Sequence, residues 1–97
     1  MDTARMTMEQ FEQTIIEKEL WSIVAKSYVL DAERRAILSN TAIVSSGGDV
    51  RGMVFQREGS VIAAKLISDL RLHAPQIEDP ITYASEILAP IWEEDGV

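Results

Sequence analysis

The sequence lacks cysteine entirely and contains a single histidine among its 97 residues. The absence of cysteine excludes disulfide bridges, thiolate metal ligands and thiol nucleophiles together. A small secreted fold that depends on disulfides is therefore disfavoured, and we expect a reducing compartment, the cytoplasm. A lone histidine also excludes the pair of imidazoles at helical spacing that many zinc sites use.

Long apolar runs are also missing. The longest stretch without a charged residue covers residues 36–48, whereas a membrane-spanning helix needs about 20 apolar residues. The first residues carry neither a basic leader nor an apolar block, so we expect no export signal and no membrane partner. Hydrophobic residues make up 46% of the chain and charged residues 26%, which excludes the composition of disordered proteins. One small domain over residues 1–97 is expected, with residues 1–6 disordered.

No group of residues has the spacing of a catalytic or cofactor site. The sequence identifies no nucleophile or carboxylate beside His73, so a structural or surface role is favoured for it. The segment at residues 46–49 is Gly-rich, but it lacks the second, more distant glycine and the lysine of a phosphate-binding loop. Asp49 would also repel a phosphate. We therefore predict that the chain is not an enzyme and binds no cofactor or metal. A small enzyme that uses Asp49 or His73 is the least favoured alternative.

Glycine and proline are sparse, with five and three copies, and helical patterns occupy much of the chain. Thr7 and Gln10 have the spacing of a capping box, which predicts the start of a helix. Asp31 is a candidate N-cap, which predicts a second helix after a bend near Leu30. Apolar residues recur every three or four positions between these two signals: Phe11, Ile15, Ile16, Leu20, Ile23, Val24 and Tyr28.

Residues 39–56 permit two interpretations. The β-branched and aromatic runs at residues 41–44 and 53–55 flank a Gly-rich turn, and this arrangement is typical of a β-hairpin. Alternatively, the second helix ends at Gly47 and another helix starts with Asp49 as its N-cap. Because no third strand is available to stabilise a hairpin, the helical interpretation is slightly favoured.

Gly59 followed by Ser60 is typical of a helix end and a new cap. Apolar residues then follow at helical spacing, and Pro75 lies just beyond His73. The pattern predicts a helix from Val61 to about His73.

Asp79 before Pro80 predicts the start of the last helix, because proline at the first helical position loses no hydrogen bond. Pro90 lacks an N–H donor and should kink or end this helix near Ala89. Together the patterns predict a mainly α fold, a bundle of four to five short helices, with one β-hairpin around residues 41–55 as the alternative.

The net charge of −7 is concentrated at one end, since residues 75–97 contain six acidic and no basic residues. The basic residues in the middle of the chain are balanced by acids and lack interleaved aromatics, which disfavours direct nucleic-acid binding. An acidic last helix, followed by a frayed acidic tail at residues 93–97, would instead attract a basic surface on another protein. The residues predicted to contact this partner are Tyr83, Ile87, Ile91, Trp92, Glu93 and Glu94.

The function predicted from these features is that of a non-enzymatic, acidic protein–protein interaction module. It would act as an inhibitor, an antitoxin-like or immunity-like factor, or an accessory subunit of a larger complex. The alternative is a helical building block that forms a homodimer and has no separate ligand. In that case the first helix would pair with its copy through Phe11, Ile15 and Trp21, because small cores commonly gain burial by self-association.

Overall fold

A computed structural model of the chain describes residues 7–39 and 49–94. Three helices occupy these ranges: α1 (Met8–Ser39), α2 (Val50–His73) and α3 (Pro80–Glu93). The described residues form no strand, and the prediction of a mainly α protein is confirmed. The described ranges hold three helices instead of the predicted four to five short ones, because several expected breaks do not occur. The expectation of disorder at residues 1–6 lies outside the described residues.

Helices α1 and α2 run antiparallel, as the contacts between them show. Near the middle of α1, the Tyr28 hydroxyl donates a hydrogen bond to Asp69 in the last third of α2. Further along α1, Arg35 binds Glu58 with an N–O distance of 3.0 Å. Contacts nearer the C-terminal end of α1 are therefore made with residues nearer the N-terminal end of α2.

Helix α3 runs parallel to α1. Lys18 binds Glu86 at 3.1 Å, and two turns later Lys26 binds Glu94 at 3.1 Å. Residues 74–79 connect α2 to α3 and reverse the chain. The three helices thus form an up-down-up bundle, elongated to 55 × 22 × 17 Å, in which α1 alone is about 48 Å long.

The core lies between the three helices along the second half of α1. Helix α1 contributes small side chains, Ala25, Val29 and Ala32, so the other two helices approach it closely. Half-buried Trp21 and Tyr28 cover the edge of this core. The buried apolar residues of α2, the connection and α3 are Val50, Val54, Ile62, Leu66, Leu70, Ala74, Ala84, Ile87, Leu88 and Ile91.

Local caps define the helix starts, as the sequence predicts. The Thr7 hydroxyl accepts from the Gln10 amide at 3.0 Å, and the Gln10 side chain accepts from the Thr7 amide at 3.1 Å, which confirms the capping box. Asp49 accepts from the Gly52 amide at 3.0 Å as the N-cap of α2.

The third cap and one helix end are also as predicted. Asp79 accepts from the Thr82 amide at 3.1 Å, with Pro80 at the first helical position of α3. Helix α2 ends at His73, two residues before Pro75. Each of these signals acts within one turn of backbone, and for this reason the sequence alone predicts them.

The bend expected near Leu30 is wrong, because α1 is continuous from Met8 to Ser39. Asp31 lies inside the helix, where its carboxylate binds Arg35 one turn later instead of capping a new helix. Glycine and proline are absent from this helix, so nothing interrupts its backbone hydrogen bonds. Burial of Ala32 against the other helices stabilises the helical path beyond this point.

The β-hairpin alternative is also wrong. Residues 53–55, its expected second strand, lie inside α2, and the alternative start at the Asp49 cap is confirmed. Val50 and Val54 are both buried, one helical turn apart, so the apolar pattern follows the helical period. Residues 41–48, the expected first strand and turn, lie outside the described residues.

Gly59 does not end a helix, since α2 passes through it without interruption. Gly59 is buried, and a Cβ atom there would lie 3.1 Å from the ring of Phe55 one turn earlier. The Phe55 ring lies 5.0 Å from the ring of Trp92 on α3, measured between centroids. The glycine leaves room for the aromatic ring that joins α2 to α3.

Pro90 does not end α3, which continues to Glu93. The missing N–H leaves the Glu86 carbonyl without its usual partner, but Pro90 lies on the exposed side, where water can donate instead. Burial of Ile87 and Ile91 on the other side stabilises the helix across the proline. The frayed tail expected at residues 93–97 does not include Glu93, which is helical; residues 95–97 lie outside the described residues.

Candidate functional site

The first half of α1 carries large apolar side chains that the bundle does not cover. Residues 8–20 contain no buried residue, and the buried positions of the helix start at Ala25. Six apolar residues at positions 8–23 are between 43% and 72% exposed. Monomeric proteins rarely leave such large apolar groups clustered in water unless another molecule covers them. The exposed residues are Met8, Phe11, Ile15, Ile16, Leu20 and Ile23.

These side chains form two strips on different sides of the helix. At 100° per residue, Met8, Phe11 and Ile15 lie on the side that faces α3 further along, and we call them the inner strip. A second set lies on the side that faces away from both α2 and α3, and we call it the outer strip: Ile16, Leu20, Ile23 and Leu30. The sequence pattern includes both strips but does not distinguish the covered side from the uncovered one.

The inner strip leads into a groove of about 270 Å³ between α1 and α3. Its apolar surface comes from Ile15, Ile87 and Pro90, and Glu19 and Ser22 lie along its α1 side. Because Pro90 supplies no N–H, the Glu86 carbonyl on this helix is free to accept a hydrogen bond from a bound molecule. The groove therefore combines an apolar floor with an acceptor at its edge.

Lys18 and Tyr83 lie beside this groove. The Lys18 ammonium binds Glu86 at 3.1 Å and lies 5.8 Å from the centroid of the Tyr83 ring. Burial raises the pKa of Tyr83, and the nearby carboxylates of Glu17 and Glu86 raise it further. Tyr83 is therefore neutral at physiological pH and presents a hydroxyl beside an apolar surface.

The residues predicted to bind a partner do not form one surface. Ile87 and Ile91 are 3% and 2% exposed and belong to the core. Tyr83 and Trp92 are half-buried on opposite flanks of α3, the first near Lys18 of α1 and the second against Phe55 of α2. Glu93 and Glu94 are exposed at the end of the helix, where Glu94 binds Lys26.

The residues predicted for self-association are also divided. Phe11 and Ile15 are exposed on the inner strip. Trp21 is half-buried and packs against the core, so it supports the bundle itself. An interface on this helix would therefore have to use neighbours of Phe11 and Ile15 other than Trp21.

Sequence reasoning missed a buried ion pair that joins all three helices. Arg51 on α2 donates two hydrogen bonds to Glu33 on α1, one of them at 3.1 Å, and a third to the Ile91 carbonyl of α3 at 2.6 Å. The hydrogen bond to Glu33 raises the pKa of Arg51. The only indication of this pair in the sequence is that Glu33 lies one position after Ala32, on the core side of α1. All these groups have partners, which suits a structural role.

The other polar residues considered from sequence do not converge. His73 is exposed at the end of α2, and the Asp49 carboxylate is engaged in capping α2. In the described ranges, no three potential ligands lie close enough together to hold a metal ion. No described helix is both long and apolar enough to cross a membrane.

Comparison with models of protein families, with curated protein sequences and with solved structures finds no match to this chain. The two apolar strips of α1 and the groove beside them are therefore the surfaces from which a function can be inferred.

Proposed function

We propose that this protein is a non-enzymatic interaction module, working in the cytoplasm, that binds another protein in the groove between α1 and α3. The observation that supports this proposal is the inner strip: Phe11 is 52% exposed and Ile15 is 43% exposed, directly beside the apolar groove. In helix-in-groove recognition the apolar face of a partner's amphipathic helix packs against such an exposed apolar groove. Inhibitors, antitoxin-like or immunity-like factors and accessory subunits all act by such binding.

The charges around the groove indicate the chemistry of the partner. Glu19 lines the groove on its α1 side, and Glu86 lines it on the α3 side. Among the described residues, Lys18 is the only cation that lines the groove, and it is neutralised by Glu86. An amphipathic helix with basic residues on its polar side fits this combination of apolar floor and acidic rim.

The acidic residues at the end of α3 have a second role in this proposal. Glu93 and Glu94 are exposed, and Glu94 shares its charge with Lys26. Exposed carboxylates contribute little to affinity but attract a basic partner over a distance of about 10 Å at ordinary salt. They would therefore raise the association rate, while the inner strip and the groove supply the affinity.

The test is affinity capture from native lysate at low and high salt with matched variants. The wild type should retain a basic protein at low salt and less of it at high salt. Replacing the inner strip with Phe11→Ser and Ile15→Ser should reduce retention at least tenfold, because such anchors dominate binding energy. The control is Leu72→Ser, which changes an apolar residue of α2 that is 72% exposed and lies outside the groove.

Two outcomes contradict the proposal. If the wild type retains no protein at low salt, the function is wrong. If the double variant retains the same protein as strongly as Leu72→Ser does, the groove is not the binding surface. If the species lost on mutation is a second copy of the chain, seen as a change in mass by light scattering, the inner strip serves the homodimer alternative instead.

A further inference from the structure

The outer strip of α1 has the spacing of a coiled-coil seam. Ile16, Leu20, Ile23, Ser27 and Leu30 follow one another at alternating intervals of four and three residues. This interval keeps side chains on one line along a helix that packs against another helix. The line faces away from α2 and α3, so no helix of the described bundle covers it. Its apolar members are between 41% and 65% exposed.

A partner on this side would also stabilise α1. Residues 8–20 are helical without burying a side chain, and an isolated helical segment of about 12–15 residues is marginal in water. Most helical stability in proteins comes from the packing of an apolar face. The outer strip is the apolar face of this segment that continues into the second half of α1, and covering it would stabilise the segment against the core-bound half.

The polar residue at the centre of the strip tolerates burial. The Ser27 hydroxyl donates a hydrogen bond of 2.7 Å to the Val24 carbonyl on its own helix. Its donor is therefore satisfied when water is removed, and its small size leaves space for a larger side chain opposite. A seam of Ile, Leu and one small residue suits close contact with a second helix.

The charges at the two ends of the strip select the partner. Glu9 and Arg34 occupy the same line as the strip, at equal distances from a point between Leu20 and Ile23. Both are exposed, and among the described residues Arg34 has no carboxylate within ion-pair distance. A surface with an acid at one end and a base at the other is complementary to itself when reversed.

We infer that the outer strip is the interface between two copies of this chain, packed with their α1 helices antiparallel. Leu20 then faces the partner's Ile23, and Ile16 faces the partner's Ser27. The same register places Glu9 opposite the partner's Arg34, and it places Glu19 beside the partner's Lys26. Each contact occurs twice because the interface is two-fold symmetric.

The parallel arrangement is disfavoured by the same residues. In a parallel register Arg34 would face the partner's Arg34 at one end of the seam. Glu12 would lie beside the partner's Glu17 at the flanking positions. Like charges at these positions oppose pairing, whereas the antiparallel register places Arg34 opposite the partner's Glu9.

The test is sedimentation equilibrium of the full chain over a wide concentration range. The wild type should reach a dimer mass, and Leu20→Asp should weaken dimerisation by about 100-fold or more, because the buried charge occurs twice. The matched control is Leu72→Asp, which makes the same change on α2 and should leave dimerisation within about twofold. A wild type that stays monomeric, or a dimer that survives Leu20→Asp unchanged, would overturn the inference.

A charge exchange tests the antiparallel register without depending on an apolar substitution. Glu9→Arg and Arg34→Glu should each weaken the dimer several-fold, and the double variant should recover most of the loss. Failure of the double variant to recover would contradict the antiparallel register. Circular dichroism of each variant should show that the helices around the core are retained, since both residues are exposed in the single chain.

This interface is separate from the groove that we propose for the partner protein. Phe11→Ser with Ile15→Ser should leave the dimer mass unchanged, and Leu20→Asp should leave capture of the partner unchanged. Loss of dimerisation in both sets of variants would contradict the outer strip as the specific interface. Loss of partner capture alone would concern the proposed function and not this inference.

Discussion

At the scale of single residues, the strongest link between the helices is polar. The carboxylate of Glu33 is fully buried and Arg51 is 4% exposed, and Arg51 also donates a hydrogen bond to the Ile91 carbonyl at the C-terminal end of α3. A cation at this end of a helix also interacts favourably with the helix dipole. The pair therefore fixes how three helices meet, in addition to the apolar contacts around it.

Breaking this pair should destabilise the protein strongly. Arg51→Met leaves the Glu33 carboxylate buried without a partner, and we expect the free energy of unfolding to fall by about 3–5 kcal/mol. Replacing both residues, with Glu33→Leu and Arg51→Met, should recover most of the loss, because no charge remains buried. Urea titrations followed by circular dichroism measure both values.

The matched control is Arg35→Met, which breaks exposed contacts with Asp31 and Glu58. Its expected cost is about 1 kcal/mol or less. If Arg51→Met and Arg35→Met lower the free energy of unfolding equally, the Glu33–Arg51 pair is not buried as described.

The ionisation of Tyr28 should make the free energy of unfolding depend on pH at high pH. Its hydroxyl donates to Asp69, and this bond, with burial and the charge of Asp69, raises the pKa of Tyr28 above its usual 10.0. The folded state therefore keeps a proton that the unfolded state releases. The stabilisation is complete below pH 10 and is lost as the pH rises through the folded-state pKa, by at most about 1.4 kcal/mol per pH unit.

Urea titrations at a series of pH values above 9 test this expectation. Tyr28→Phe should be less stable than the wild type near neutral pH, and its stability should fall less steeply as the pH rises. Tyr83 and Arg51 have raised pKa values too, so some slope should remain in the variant. An unchanged slope in Tyr28→Phe would contradict the hydrogen bond to Asp69.

At the scale of helices, starts and ends follow different rules from continuity. The starts of α1, α2 and α3 are defined by side chains that satisfy free amides within one turn. Asp31 resembles these caps in sequence, yet it lies inside α1, because packing on both sides of it stabilises a continuous helix. A cap signal therefore marks a helix start only where the preceding backbone is free to leave the helix.

The N-cap of α2 should make a measurable contribution to the free energy of unfolding. Asp49→Ala removes the acceptor for the Gly52 amide and should lower the free energy of unfolding by about 1 kcal/mol, whereas Asp49→Asn keeps an acceptor and should cost much less. Thermal and urea unfolding of the two variants measure this difference. Equal stability of Asp49→Ala and the wild type would contradict the capping role.

At the scale of the whole molecule, the core is displaced toward one end of the longest helix. Buried residues of α1 lie from Ala25 to Glu33, while residues 8–20 extend along the surface with two uncovered strips. The inner strip continues into the α1–α3 groove, and the outer strip faces away from the bundle. We propose that the first binds a basic partner protein and that the second binds another copy of the chain.

This arrangement predicts two classes of amide hydrogen exchange in α1. Amides from about residue 24 to residue 33 should be protected at every protein concentration, because their protection depends on the core. Amides at residues 12–20 should exchange faster as the protein is diluted, because dissociation of the dimer uncovers the helix that carries them. Mass-spectrometric exchange at two concentrations checks this, with Leu20→Asp as the monomeric reference.

Concentration-independent protection of residues 12–20 in a wild type that sediments as a dimer would contradict this link between dimer and helix. Equal protection in Leu20→Asp would do the same.

The sequence by itself determined the mainly α class, the three caps and the end of α2 before Pro75. These features depend on propensity and on hydrogen bonds within one turn, so a short stretch of chain contains all the information they need. The same local reasoning predicted breaks at Leu30, Gly59 and Pro90 that do not occur. At each of them, contacts with another helix stabilise the continuous backbone.

Only the tertiary structure decided which apolar residues are covered. Phe11, Ile15 and Leu20 follow the same helical period as Val24 and Tyr28, but α2 and α3 cover only the later positions. The Glu33–Arg51 pair was equally hidden, because its residues are 18 positions apart and meet only when α1 and α2 pack. Periodicity indicates that a helix has an apolar face, whereas burial of that face depends on which other segment packs against it.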